Sequence, residues 1–110
     1  MYYIEKRMEI AGAHRLELDY ESPCTNLHGH NWIIKVYCKA EELDRNGMVV
    51  DFKRIKEKVA KRLDHQYIND IINVNPTAEN IAKWVCDQVG EKCYKVSVQE
   101  SEGNLAIYER

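Results

Sequence analysis

The chain has 110 residues, 45% of them hydrophobic and 31% charged, with two prolines and five glycines. That leaves room for one folded domain over residues 1–110 and excludes a disordered, collagenous or multidomain protein. A formal net charge of −2 supplies no global field for phosphate backbones, so no nucleic-acid partner is expected, and no apolar run approaches the ~20 residues of a membrane span.

From Tyr2 to His14 the apolar residues Ile4, Met8 and Ile10 share one parity with charges between them, which predicts a half-buried strand that carries His14 on its apolar side. The polar stretch 15–27, with Pro23 and Cys24, breaks the alternation and reads as a loop. A second strand is expected over 29–41, with Trp32, Ile34, Val36 and Cys38 on one face and His28 and His30 in the same parity. A turn at 44–47 and a short extended piece at 48–50 lead to Asp51, a helix N-cap. Phe52, Ile55, Val59 and Leu63 then recur at helical steps, which predicts a helix ending near Asp64 whose outer face is basic. Thr77 caps a second expected helix with Ile81, Trp84, Val85 and Val89 as its stripe and Gly90 as its stop. Strands at 94–100 and 105–108 close the chain. The order ββααββ has no alternating crossover, so the expected class is α+β, with two helices on one face of an antiparallel sheet.

Three of the four histidines fall where a metal wants them. His28 and His30 leave one strand face about 6–7 Å apart, and His14 joins them if the first two strands pair in register. The same HGH could equally be a solvent-exposed turn entry with His14 a hydrogen-bonded core residue. Cys24 lies in the loop before His28, where a cation would favour its thiolate, but it also reads as a spectator. In Asp64-His65 the carboxylate can fix the imidazole tautomer, though such a dipeptide is common after a helix. Glu100 shares the parity of Tyr94, Val96 and Val98, so its carboxylate should turn inward toward a ligand or a lysine. Irregular cysteine spacing without a CxxC pair and an amino terminus without a basic segment and apolar signal core point to a cytoplasmic protein with free thiols.

Read together, Ala13-His14-Arg15-Leu16, Cys24 to Asn31, Leu63-Asp64-His65, Asn75 to Asn80 and Val98 to Glu100 resemble the motifs of the 6-pyruvoyl- and 6-carboxy-tetrahydropterin synthase family over nearly the whole chain. The resemblance implies the tunnelling fold (T-fold), a four-stranded antiparallel sheet with two helices on one face, assembled as a homohexamer from two trimers with active sites between subunits. It implies Zn2+ on His14, His28 and His30, Cys24 as catalytic thiol, Asp64 and His65 as proton-handling partners from a neighbouring subunit, and Glu100 as pterin anchor. The implied substrate is 7,8-dihydroneopterin triphosphate, without an external redox cofactor. Three residues between Cys24 and His28 resemble the carboxy branch, a lyase of queuosine biosynthesis that releases acetaldehyde and triphosphate. A pyruvoyl-forming lyase and a non-catalytic zinc-stabilised pterin binder stand as the alternatives. Gly12, Ile10, Gln66 and Ser101 depart from residues frequent in that family.

Overall fold

The computed structural model describes residues 1–110. Strand β1 (Tyr2–His14) pairs antiparallel with β2 (His28–Ala40) along its full length, placing His14 opposite His28 and Gly12 opposite His30. After β2 come helices α1 (Phe52–Lys58) and α2 (Ala60–Leu63), the short strand β3 (Gln66–Tyr67) and a 3-10 turn at Ile68–Asp70. Helix α3 (Ala78–Val89), β4 (Cys93–Ser101) and β5 (Asn104–Glu109) complete the chain. The sheet order is β3-β1-β2-β4-β5. The sheet has five strands rather than the expected four: beside the four long antiparallel ones, β3 runs parallel to β1 at Gly12 and Ala13, and two residues are too few to show a period.

One sheet face carries the core. Met8 and Ile10 of β1, Trp32, Ile34, Val36 and Cys38 of β2, and Cys93, Val96 and Val98 of β4 are all buried, against Ile55, Val59 and Leu63 from α1, α2 and the residue between them, and Ile81, Val85 and Val89 of α3. Helix α3 covers β4 and β5, and α2 lies over β1. The opposite face has no helix over it and leaves Tyr3, Leu105 and Ile107 exposed. No helix is long and apolar enough to cross a membrane.

The caps fall where the sequence puts them. Asp51 accepts from the Lys53 N–H at 2.9 Å, and Thr77 Oγ1 accepts from the Asn80 N–H at 3.1 Å. Gly90, at φ 112°, ends α3 in a conformation that a side chain would resist. The first helix is not one piece, because Val59 (φ −119°, ψ −72°) breaks it. The apolar stripe survives the break, since Ile55, Val59 and Leu63 are all fully buried. The segment 48–50 is not strand, with bends at Val49 and Val50. Tyr94 does not share the inward parity of Val96 and Val98. A bulge sets Cys93 opposite Cys38 and Lys95 opposite Tyr37, so Cys93 takes the buried position and Tyr94 meets Tyr3 and Tyr37 on the open face.

Candidate metal centre and the groups around it

The full-length pairing of β1 with β2 brings the imidazoles of His14, His28 and His30 together, with one nitrogen from each within 4.8 Å of the others. Hydrogen bonding fixes which nitrogens these are. His14 Nδ1 lies 2.8 Å from the Pro76 carbonyl, and His28 Nδ1 lies 2.7 Å from the Asn26 carbonyl. A carbonyl can only accept, so both Nδ1 atoms carry hydrogen and both Nε2 atoms present lone pairs. Those two lone pairs face each other at 3.0 Å, and Nε2 of His30 is buried without a hydrogen-bond partner. Two facing acceptors beside a third, unpartnered imidazole nitrogen are unfavourable unless a cation sits among them. Two nitrogens bound to one tetrahedral zinc stand about 3.3 Å apart, close to the 3.0 Å between His14 and His28, and with His30 within 4.8 Å of both the residues fit a metal ion held by three histidines.

The surroundings of His14 and His30 favour the neutral imidazole. His14 is fully buried, and burial lowers its pKa, opposed by the Pro76 carbonyl and reinforced by His28 and His30. Burial also lowers that of His30, opposed by Glu100. Neutral imidazole is the ligand form. Trp32 supports the cluster from below, its ring edge-on to His14 and His30 at 4.9 and 5.1 Å, and donates Nε1–H to the Gly12 carbonyl at 3.0 Å. The carbonyl partner of His14 has no local signal, because Pro76 is 62 residues away in the chain, whereas Asn26 is two residues from His28.

Glu100 turns inward. Its Oε1 lies 3.5 Å from His30 Nε2, and the carboxylate keeps a partly open side. No lysine answers it. Cys24 sits half-buried in the loop between β1 and β2, on a 3-10 turn capped by Ser22, and its carbonyl accepts from the Leu16 N–H at 2.9 Å.

Asp64 and His65 are bonded to β1 and not to this cluster. Asp64 Oδ1 accepts from the Ala11 N–H at 2.9 Å, and the His65 N–H donates to the Ala11 carbonyl at 2.7 Å. The pair is therefore fastened to the edge of β1 that faces away from β2. His65 adopts φ 58°, unusual for a residue with a side chain, and Asp64 Oδ1 lies 3.1 Å from its Nδ1. The imidazole is 80% exposed. Neither residue hydrogen-bonds or ion-pairs with any of the three clustered histidines, although His65 and His30 line one open cleft with Gly12 and Gln66.

Comparison with known proteins gives the chain's family. Residues 3–110 match the family model described as "6-pyruvoyl tetrahydropterin synthase". The chain is 35% identical to a 6-carboxy-5,6,7,8-tetrahydropterin synthase of Synechocystis, covering 98% of this chain and 93% of the relative. It is 27% identical to the enzyme of that name from Bacillus subtilis, covering 97% and 84%. The solved structure of Caenorhabditis elegans 6-pyruvoyl tetrahydropterin synthase superposes with a TM-score of 0.78 at 25% identity, over 99% of this chain and 95% of that one. The cluster, the inward carboxylate and a match over almost the entire length lead to one conclusion: the chain belongs to the 6-pyruvoyl tetrahydropterin synthase family.

Proposed function

We propose that this protein is a zinc-dependent 6-carboxy-5,6,7,8-tetrahydropterin synthase, converting 7,8-dihydroneopterin triphosphate to 6-carboxytetrahydropterin with release of acetaldehyde and triphosphate, on the route to queuosine. The observation that carries the reading is the convergence of three histidine nitrogens, two of them with their lone pairs fixed by backbone carbonyls, in a chain of this family. His14, His28 and His30 hold Zn2+, which when bound acts as a Lewis acid on the hydroxyls of the substrate side chain. Glu100 accepts the paired N–H donors of the 2-amino-4-oxo pterin ring, a bidentate contact that fixes its orientation.

Cys24 Sγ takes a proton from the substrate side chain as a general base. His65, with Nδ1 held by Asp64, has Nε2 free to take or return a second proton. That the Asp64-His65 pair makes no bond to the cluster supports a site completed by a second copy, in which one chain supplies the metal ligands and Cys24 and its neighbour supplies the dyad. Such a homohexamer of two trimers would act in the cytoplasm. The relatives named for the carboxy reaction and the short Cys24 to His28 spacing support the carbon-cleaving branch.

The pyruvoyl reaction is the second reading, favoured by the likeness to the nematode structure. Incubating zinc-loaded protein with 7,8-dihydroneopterin triphosphate, with product mass and acetaldehyde measured together, separates the readings. Carboxytetrahydropterin with matching acetaldehyde is the expected result. A product that keeps its three-carbon side chain moves the protein to the pyruvoyl branch, and full zinc occupancy without turnover leaves a pterin-binding protein.

A further inference from the structure

The chain leaves β1 at His14, yet the next three residues are still held as a strand is held. On one edge, the Arg15 N–H donates to Asn69 Oδ1 at 3.0 Å, and Asn69 Nδ2 donates back to the Arg15 carbonyl at 2.9 Å. Two residues on, Asn75 repeats the pattern with Glu17, both bonds at 2.9 Å. On the opposite edge, the Leu16 N–H donates to the Cys24 carbonyl at 2.9 Å. A carboxamide offers the same acceptor and donor as a peptide group. Two asparagine side chains thus stand where the peptides of a neighbouring strand would, and alternate residues present the same edge to them.

This ribbon joins the parts of the site. It begins at the metal-ligand candidate His14 and grips the backbone of Cys24. Asn75 is itself anchored, because its carbonyl accepts from the Thr77 N–H and from Asn80 Nδ2, both at 2.8 Å. The carbonyl of the following residue, Pro76, orients the His14 ring. One short segment therefore fixes both the imidazole and, through Glu17 and Leu16, the cysteine loop.

We propose that Asn69 and Asn75 are positioning residues that hold the Cys24 loop in register with the histidine cluster, an inference that rests on Cys24 acting in the reaction proposed above. Their bonds lie in exposed surroundings, where water would satisfy the same groups, so they add little net stability. What they supply is geometry. Each carboxamide gives one acceptor site and one donor hydrogen to the ribbon.

The test uses the metal-loaded full chain carrying Asn69→Ala and Asn75→Ala together, with Asn75→Ser as a milder variant should the double one fold poorly. A displaced thiol should lower kcat about 10- to 100-fold with KM within about twofold. The visible spectrum of the Co2+-substituted protein should stay unchanged, and iodoacetamide should alkylate Cys24 at least about fivefold faster as the loop loosens. Unchanged alkylation overturns the proposal. So does a fall in kcat that arrives together with a changed Co2+ spectrum and a matching drop in melting temperature, because that pattern marks general support of the fold. If the wild-type protein turns nothing over, the functional reading fails separately, and the alkylation rates alone decide whether the asparagines hold the loop.

Discussion

Gly12 shows how closely the candidate metal centre is packed. It lies opposite His30, its carbonyl accepts from Trp32 Nε1, and a Cβ there would meet Ile68 Cδ1 at 3.0 Å, Ile68 Cγ1 at 3.3 Å and Trp32 Nε1 at 3.4 Å. A larger residue here requires the Ile68 side chain to shift. Gly12→Ala is therefore expected to destabilise the protein by about 1–3 kcal/mol through overpacking. Ile68→Val deletes Cδ1, the nearest atom, so the double variant should recover part of that loss in chemical denaturation. Strict additivity of the two single effects would mean that the clash lies elsewhere. His14, His28, His30 and Glu100 were legible because strand parity alone sends them to one face. The spacing rule failed at Tyr94, where an unforeseen bulge reverses the parity and buries Cys93 instead. Two fully buried thiols have raised pKa values. Burial, with Cys93 beside it, pushes Cys86 up to about 12, and the Cys38 thiol together with burial pushes Cys93 up as well.

Among the elements, the turn from Asn75 into α3 carries more than its length suggests. Thr77 caps the helix through Asn80, and the residue before it presents the carbonyl that orients His14. Removing the hydroxyl with Thr77→Ala is expected to cost about 1 kcal/mol, or roughly 4–8 °C in melting temperature, while Thr77→Ser keeps the bond and should melt near the wild-type value. Equal melting of all three proteins would show that the cap contributes nothing. The sequence announces this helix well, since cap, stripe and Gly90 stop agree. It announces β3 and the break at Val59 poorly. Gln66–Tyr67 pairs with β1 because Asp64 and His65 are already fastened to Ala11, a long-range cause with no local pattern, and Val59 keeps its place in the apolar stripe whether or not the helix is continuous.

At the scale of the molecule, the lack of any bond between the Asp64-His65 pair and the histidine cluster has the largest consequence. Beyond β2, strand β1 pairs only at Gly12 and Ala13, and β5 ends the sheet with Leu105 and Ile107 exposed. Uncovered edges of this length invite another strand. If a second copy docks there and brings its dyad to the first copy's cluster, two variants that are each inactive should restore one another. Cys24→Ala removes the thiol and leaves the dyad, whereas His65→Ala does the reverse. After denaturing the two together in equal amounts and refolding, a shared site pairs an intact thiol from one chain with an intact dyad from the next in about a quarter of cases, by random assortment of protomers. Turnover should then return to about a quarter of the wild-type rate, with neither variant active alone. If the mixture stays inactive while native mass spectrometry shows mixed oligomers, each chain must use its own His65, and the loop at 64–67 would have to leave Ala11 to reach the cluster.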